Sequence, residues 1–151
     1  MTAATDIVAT VDIAARLGAV RDRIAQACGR AHREVSSVRL VIASKTQPAA
    51  AVAAAYAAGA RDFGENYVQE ALAKRAALAH LRDVYWHLIG HLQTNKARIA
   101  AANFDLIHTL DGVRLAHAIA RAHPAPPVPM LVEVNLGGEA SKNGVGQDAV
   151  E

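Results

Sequence analysis

Hydrophobic positions at the start of the chain follow a helical spacing. Over roughly residues 10–30 they recur every three or four residues, which places them on one face of an amphipathic helix. These positions are Ile13, Leu17, Val20, Ile24 and Cys28. The simplest interpretation of Cys28 is therefore a small buried apolar residue rather than a reactive thiol.

A different pattern begins at residue 38. The run VRLVIA (38–43) is mostly apolar and rich in β-branched residues, which predicts a strand buried on both faces, as in parallel sheets. Pro48 and Gly59 then bracket an alanine-rich segment. Proline is tolerated in the first turn of a helix and glycine favours the position after the last turn, so this order predicts a helix over 49–58.

Strand and helix patterns alternate through the rest of the chain. Strands are predicted over 61–64, 84–89, 105–110 and 130–135, helices over 68–81, 96–102 and 113–122, and residues 147–151 look like the start of another helix. Such alternation implies right-handed crossovers and a parallel sheet.

Two parallel folds fit this alternation, an open doubly wound sheet and a (βα)8 barrel. No G-x-G-x-x-G follows the first strand, so the dinucleotide-binding fingerprint of the first fold is missing. Polar residues cluster after the predicted strand ends, where barrels build their active face. These residues are Ser44, Lys45, Thr46, Glu65, Asn66, His87, His91, Asp111 and Asn135. A barrel typically needs about 250 residues, so the sequence predicts one α/β domain over 1–151 that is an incomplete barrel of about five of eight βα units.

Composition narrows the class of protein. Of 151 residues, 52% are hydrophobic and 20% are charged, which is typical of one folded domain. The net charge of +2 gives no reason to expect a nucleic acid or a membrane surface as partner. A single cysteine excludes an internal disulfide, and no apolar run approaches the ~18 residues of a spanning helix. No signal peptide is recognisable at the start of the chain. We therefore expect a soluble cytoplasmic protein. A monomer is taken as the working expectation, although composition does not determine the oligomeric state.

Lys45 is the strongest candidate for a reactive residue, because it lies at the end of the first predicted strand. Partial burial at a strand end would disfavour the ammonium and favour the neutral amine. A neutral amine can attack an aldehyde and form a Schiff base. By position alone, a solvated surface lysine is the simpler interpretation.

Two further residues follow or end predicted strands. Asn66 offers an amide that can hydrogen-bond a phenolic oxygen or a ring substituent, although a turn residue is an equally simple interpretation. His87 shares a strand face with Tyr85, whereas Trp86 and Leu88 point the other way. A hydrogen-bonded core histidine is the simpler interpretation of His87.

Metal binding is not expected. His87 and His91 are four residues apart, a spacing that brings two rings together on a helix, but Gly90 intervenes at the end of a predicted strand. Asp111, just before an apolar run, is most simply the N-cap of a helix.

Four short segments form a recognisable signature. They are VIASKT (41–46), FGENYVQE (63–70), WHLIGHLQTNK (86–96) and SKNG (141–144). In this order and spacing they strongly resemble the pyridoxal phosphate homeostasis protein family, over essentially the whole chain.

The resemblance implies a barrel like the N-terminal domain of alanine racemase, called fold type III, with pyridoxal 5′-phosphate (PLP) as cofactor. Lys45 matches the family lysine that holds PLP as a Schiff base. By the same matching, Asn66 and His87 would lie near the cofactor, and Lys142 matches a second lysine near the pocket mouth. Family members are regarded as carriers of PLP in vitamin B6 and amino-acid homeostasis, without established turnover. The implied partners are PLP and PLP-dependent apo-enzymes, and no enzymatic activity is expected.

Relative to that family, the chain lacks the later segment whose backbone amides and hydroxyls hold the cofactor phosphate. We therefore expect a fragment with an open barrel, weak PLP binding and poor solubility by itself. Two enzymatic alternatives stay open. A PLP-dependent amino-acid racemase of the same fold needs two bases on opposite faces of its substrate, of which Lys45 could be one. A cofactor-free aldolase would use the same lysine directly on a carbonyl substrate.

Overall fold

The computed structural model describes residues 2–122, 126–139 and 143–150. Within these ranges, the chain alternates between the strands of one parallel sheet and the helices that connect them. The strands are β1 (Ile42–Ala43), β2 (Asp62–Glu65), β3 (Tyr85–Leu88), β4 (Leu106–Leu110) and β5 (Met130–Val132). The helices are α1 (Thr2–Arg30), α2 (Ala49–Ala57), α3 (Val68–Ala77), α4 (Ala97–Asn103) and α5 (Val113–Ala122), and short 3₁₀ helices cover Val35–Ser37, Thr94–Lys96 and Gln147–Ala149.

The order of the strands distinguishes between the two folds left open by the sequence. They lie in the sheet as β1-β2-β3-β4-β5, each parallel to the next. A doubly wound sheet reverses its strand order at a switch point, whereas a (βα)8 barrel adds each strand beside the last. The described part of the chain therefore has the singly wound order of a partial barrel, as the sequence predicts.

The two faces of the sheet differ in burial. One face packs against the helices through apolar residues that are almost fully buried, among them Phe63, Trp86, Leu88 and Ile107. Ala43, Tyr85 and Leu131 are exposed, whereas His87, which shares a sheet face with Tyr85, is fully buried, so the face opposite the helices is only partly covered in the described residues. The expectation that the first strand is buried on both faces is therefore wrong.

Most predicted elements agree with the structure to within a few residues. The first helix begins at Thr2, well before the predicted start near residue 10, and three further elements differ. The strand predicted over 38–43 is reduced to two residues, since β1 is an edge strand paired only with β2 among the described residues. The strand predicted over 130–135 ends at Val132, and Val134 forms an isolated parallel bridge with Val145. The final helix predicted over 147–151 is a single 3₁₀ turn, Gln147–Ala149.

Cys28 is buried on α1, as the helical spacing predicts, and it is a free thiol. No helix within the described residues combines the length and the apolar character required to cross a bilayer.

Candidate functional site at the carboxyl end of the sheet

Lys45 lies in a tight turn directly after β1. The N–H of Gln47 donates to the C=O of Ser44 at 3.0 Å and closes the turn, and Thr46 has a φ of 62°. That left-handed conformation is unfavourable for a β-branched residue, so surrounding contacts must maintain it. Lys45 itself is exposed, and its Nζ has no hydrogen-bond or ion-pair partner among the described residues. The described residues thus give Lys45 the solvated position that the sequence alone favours and not the partial burial that would disfavour its ammonium.

Ser44, on one side of Lys45, is anchored to β2. Its N–H donates to the C=O of Gly64 at 2.9 Å, which continues the pairing of β1 with β2 by one residue. Its hydroxyl donates to Oε1 of Glu65 at 2.6 Å. Glu65 is fully buried on the helix-facing side of the sheet, and its Oε2 has no hydrogen-bond partner.

A second lysine, Lys74 of α3, completes this buried cluster. Its ammonium donates to the C=O of Ser44 at 2.6 Å, to Oε1 of Glu65 at 2.7 Å and to Oε1 of Glu70 at 2.6 Å. The same oxygen of Glu70 accepts the N–H of Thr46 at 2.6 Å. The cluster formed by Glu65, Glu70 and Lys74, which we call the acidic clamp, thus contacts both chain neighbours of Lys45.

The pKa values of Lys74 and Glu70 are both shifted in favour of the charged form of each side chain. Burial acts to lower the pKa of Lys74, but hydrogen bonds to Glu65 and Glu70 and their negative charges outweigh it, so this pKa lies above the usual value. The hydrogen bond from Lys74 lowers the pKa of Glu70, with further help from the Thr46 N–H and the Lys74 charge. Lys74 is therefore a protonated, fully hydrogen-bonded ammonium.

Asn66 lies at the end of β2, where its backbone packs against Gly90 at the end of β3. A Cβ at Gly90 would stand 2.5 Å from the carbonyl oxygen of Asn66, so only glycine permits this approach. The Gly90 C=O accepts the hydroxyl of Thr109 at 2.8 Å, which fixes the same segment to β4. Asn66 borders an open cleft of about 540 Å³ that residues of the second and third strand ends line. The lining residues are Asn66, Tyr67, Val68, Gln69, Gly90, His91, Leu92, Gln93 and Lys96.

His87 lies on the sheet face opposite the helices, together with Tyr85, as the sequence predicts; the centroids of their rings are 6.0 Å apart. The His87 ring is fully buried, and both its nitrogens have partners. Nε2 is 2.9 Å from Oδ1 of Asp62, and Nδ1 is 2.9 Å from Nε2 of His108. Burial, and secondarily the charge of His87, lowers the pKa of His108. The register places His87 level with Gly64, and its ring turns back toward Asp62, the first residue of β2.

His87 and His91 do not converge on a common point. His91 pairs instead with Asp111, with 3.1 Å between Nδ1 and Oδ2, whereas His87 faces Asp62. In the described ranges, no group of three His, Cys, Asp or Glu side chains is arranged to hold a metal ion. Lys142, predicted at the pocket mouth, lies outside the described residues.

Sequence reasoning missed the acidic clamp. Glu70 and Lys74 are four residues apart on α3, a spacing that usually indicates an exposed pair on a helix surface. Glu65 was recognised only as a polar residue after a strand. The available signal was a charged residue within an otherwise apolar strand end, because such a residue needs a partner of opposite charge when it is buried.

Comparison with known proteins places the chain in a family. Residues 15–151 match the model of the alanine racemase N-terminal domain. The chain is 47% identical over 134 residues to a pyridoxal phosphate homeostasis protein of Pseudomonas aeruginosa, covering 87% of this chain and 58% of that protein. It is 43% identical over 141 residues to the protein of the same name from Escherichia coli, covering 89% and 59%.

Solved structures agree with these matches. PipY of Synechococcus elongatus, a COG0325 family member solved without PLP, superimposes with a TM-score of 0.74 at 42% identity, covering 88% of this chain and 58% of PipY. The PLP-bound form of PipY gives a TM-score of 0.66 at 39% identity, with 88% and 57% covered. The chain thus spans less than two thirds of the length of these relatives. The match over residues 15–151, together with the singly wound parallel sheet, establishes that the chain belongs to the alanine racemase N-terminal domain family.

Proposed function

We propose that the protein binds PLP and serves in vitamin B6 and amino-acid homeostasis, with the cofactor held covalently on Lys45. The observation that carries this proposal is an exposed amine without a hydrogen-bond partner in the described residues, located at the carboxyl end of a parallel sheet. Active sites of barrels lie at that end. The names of the similar proteins from P. aeruginosa and E. coli, and the PLP bound to PipY, support the choice of cofactor.

The residues present fit an aldehyde cofactor. When bound, PLP would supply an aldehyde carbon with which the primary amine of Lys45 would condense, the carbonyl oxygen and the two amine hydrogens being released as water. Only an amine that can release its proton reacts in this way. Lys74 is unsuited to this reaction, since carboxylates hold its proton and raise its pKa, whereas Lys45 has no carboxylate partner in the described residues.

The neighbouring residues are assigned supporting roles in the same proposal. Asn66 lies at the next strand end, where its amide can orient a ring substituent of the cofactor. His87 is assigned a position near the cofactor from the family resemblance. Both its ring nitrogens already have partners, so its role there is to hold the sheet face opposite the helices in place. Lys142 is proposed as a second amine near the pocket mouth, from the family resemblance of the segment around it.

We further propose that the protein carries PLP without catalytic turnover, as a cytoplasmic monomer that delivers it to PLP-dependent apo-enzymes. The similar proteins are named for homeostasis rather than for a reaction. The small net charge of +2 supports the expectation that neither nucleic acid nor membrane is a partner. Interconversion of D- and L-alanine by the PLP-loaded full chain would contradict the absence of turnover.

Covalent capture of the cofactor tests the central assignment. The full chain is mixed with PLP, reduced with borohydride, digested and mapped by mass spectrometry. We expect the reduced PLP adduct on Lys45 and its loss in Lys45→Arg, which keeps the positive charge but removes the nucleophilic amine. Lys96→Arg serves as the matched control, because it makes the same substitution at a lysine with no assigned part in forming the adduct, and the adduct on Lys45 should persist. An undiminished adduct in Lys45→Arg would overturn the assignment.

A further inference from the structure

The acidic clamp contacts the turn of Lys45 through the backbone of its two chain neighbours. Of its hydrogen bonds, the one from Lys74 ends on the C=O of Ser44 and the one to Glu70 begins at the N–H of Thr46. No hydrogen bond or ion pair joins Lys45 to the clamp within the described part of the chain. The clamp therefore hydrogen-bonds the backbone on both sides of Lys45, and the Lys45 amine forms no hydrogen bond or ion pair with it.

The conformation of Thr46 gives a second, independent reason to assign a role to the clamp. A β-branched residue at a φ of 62° is unfavourable, and such residues persist only where the surroundings hold them. The hydrogen bond that fixes Thr46 is the one from its own N–H to Glu70. Removing Glu70 therefore frees the turn to relax toward more favourable backbone angles.

We propose that Glu65, Glu70 and Lys74 are positioning residues that hold the turn of residues 44–47 in the conformation in which Lys45 presents its amine to an aldehyde. This inference rests on the proposed function, because it assumes that Lys45 is the reacting lysine. The clamp supplies no atom to the reaction. Its effect is to reduce the number of orientations that the Lys45 backbone samples before it meets the cofactor.

Glu70 offers the sharpest test, because it is partly exposed at the start of α3, with 27% of its side chain accessible. Its substitution disturbs the fold less than a change at the buried Glu65 or Lys74. Glu70→Ala removes the acceptor for the Thr46 N–H. Glu70→Gln keeps a side-chain carbonyl oxygen in its place but removes the charge, so it is the matched conservative variant.

The first measurement is amide hydrogen exchange of the full chain by NMR, without PLP. We expect the Thr46 amide to exchange about tenfold faster in Glu70→Ala, and less than that in Glu70→Gln. The Ile89 amide, which donates to the C=O of Glu65 at 2.9 Å in the adjacent ladder, serves as internal reference and should not change. Equal acceleration at Thr46 and Ile89 would mean general destabilisation and would overturn the positioning role.

The second measurement is the rate of covalent PLP capture on Lys45, quenched with borohydride at successive times. We expect about a tenfold loss of rate in Glu70→Ala and substantial recovery in Glu70→Gln, in parallel with Thr46 exchange. A faster Thr46 exchange with an unchanged capture rate would overturn the inference and leave the proposed function intact. Absence of capture on Lys45 in the unmodified protein would overturn the proposed function, and the Thr46 exchange rates alone would then show whether the clamp holds the turn.

Discussion

Two lysines lie next to Ser44 and differ in exposure, in hydrogen bonding and in charged partners. Lys45 is its chain neighbour, exposed and without a partner in the described residues. Lys74 reaches the C=O of Ser44 from α3, and its side chain is only 7% exposed. Burial alone would make Lys74 the better nucleophile, since it disfavours the ammonium. The two carboxylates hydrogen-bonded to it reverse that effect, so the comparison teaches that the partners of a buried amine, rather than its burial, decide whether it can react.

The largest expected effect is the loss of stability when the buried amine of Lys74 is removed. Lys74→Met leaves Glu65 fully buried without its counter-charge, and we expect the free energy of unfolding to fall by about 3–5 kcal/mol. Lys45→Met, at an exposed position, should change it by no more than about 0.5 kcal/mol. Urea titration of both variants followed by circular dichroism measures the two changes. Similar losses in the two variants would contradict the contrast between the lysines.

Chemical labelling sharpens the same comparison at the level of reactivity. With a limiting amount of an amine-selective ester, Lys45 of the folded protein should be acylated on the order of a hundredfold faster than Lys74, which becomes accessible only when the structure opens. Mass spectrometry of the digested product gives the ratio of the two rates. The same labelling in concentrated denaturant is the control, in which both lysines should react alike. A ratio near one in the folded protein would refute the environment described for Lys74.

The smallest expected effect is the dependence of stability on acid pH. The pKa of Glu70 is lowered in the folded protein, so its contribution is complete above the ordinary value of 4.5 and disappears as the pH falls through the lowered folded value. Glu70→Gln should remove this contribution and flatten the stability profile between these two values. Thermal unfolding of both proteins across acid pH measures the difference. Parallel profiles for the two proteins would show that Glu70 is not coupled to folding through its charge.

Local patterns in the sequence predict most of the elements and the edge of the sheet at which the candidate site lies. The alternation of apolar strand runs with helical spacing, and the Pro48 to Gly59 bracket, suffice for this purpose because each depends on neighbouring residues. The position of Lys45 at a strand end follows in the same way. The degree of exposure of Lys45 cannot be derived from the apolar residues that precede it, because exposure depends on which other parts of the protein cover the sheet.

The contacts that the sequence does not reveal join distant residues. Glu65 meets Ser44 across 21 positions of the chain, and His87 meets Asp62 across 25. These pairs form only when the register between strands is known. A slip of one residue would send each side chain to the other face. The residue types were visible as polar positions near strand ends, but their partners depend on the pairing of β1, β2 and β3.

The hydrogen bonds around His87 determine where hydrogen atoms sit on two rings. The carboxylate of Asp62 can only accept, so Nε2 of an uncharged His87 ring carries the hydrogen and its Nδ1 is an acceptor. In that state Nδ1 accepts from Nε2 of His108, so the tautomer of the second imidazole follows from that of the first. Three neighbouring strands, β2, β3 and β4, are thereby joined by side-chain hydrogen bonds in addition to those of their backbones.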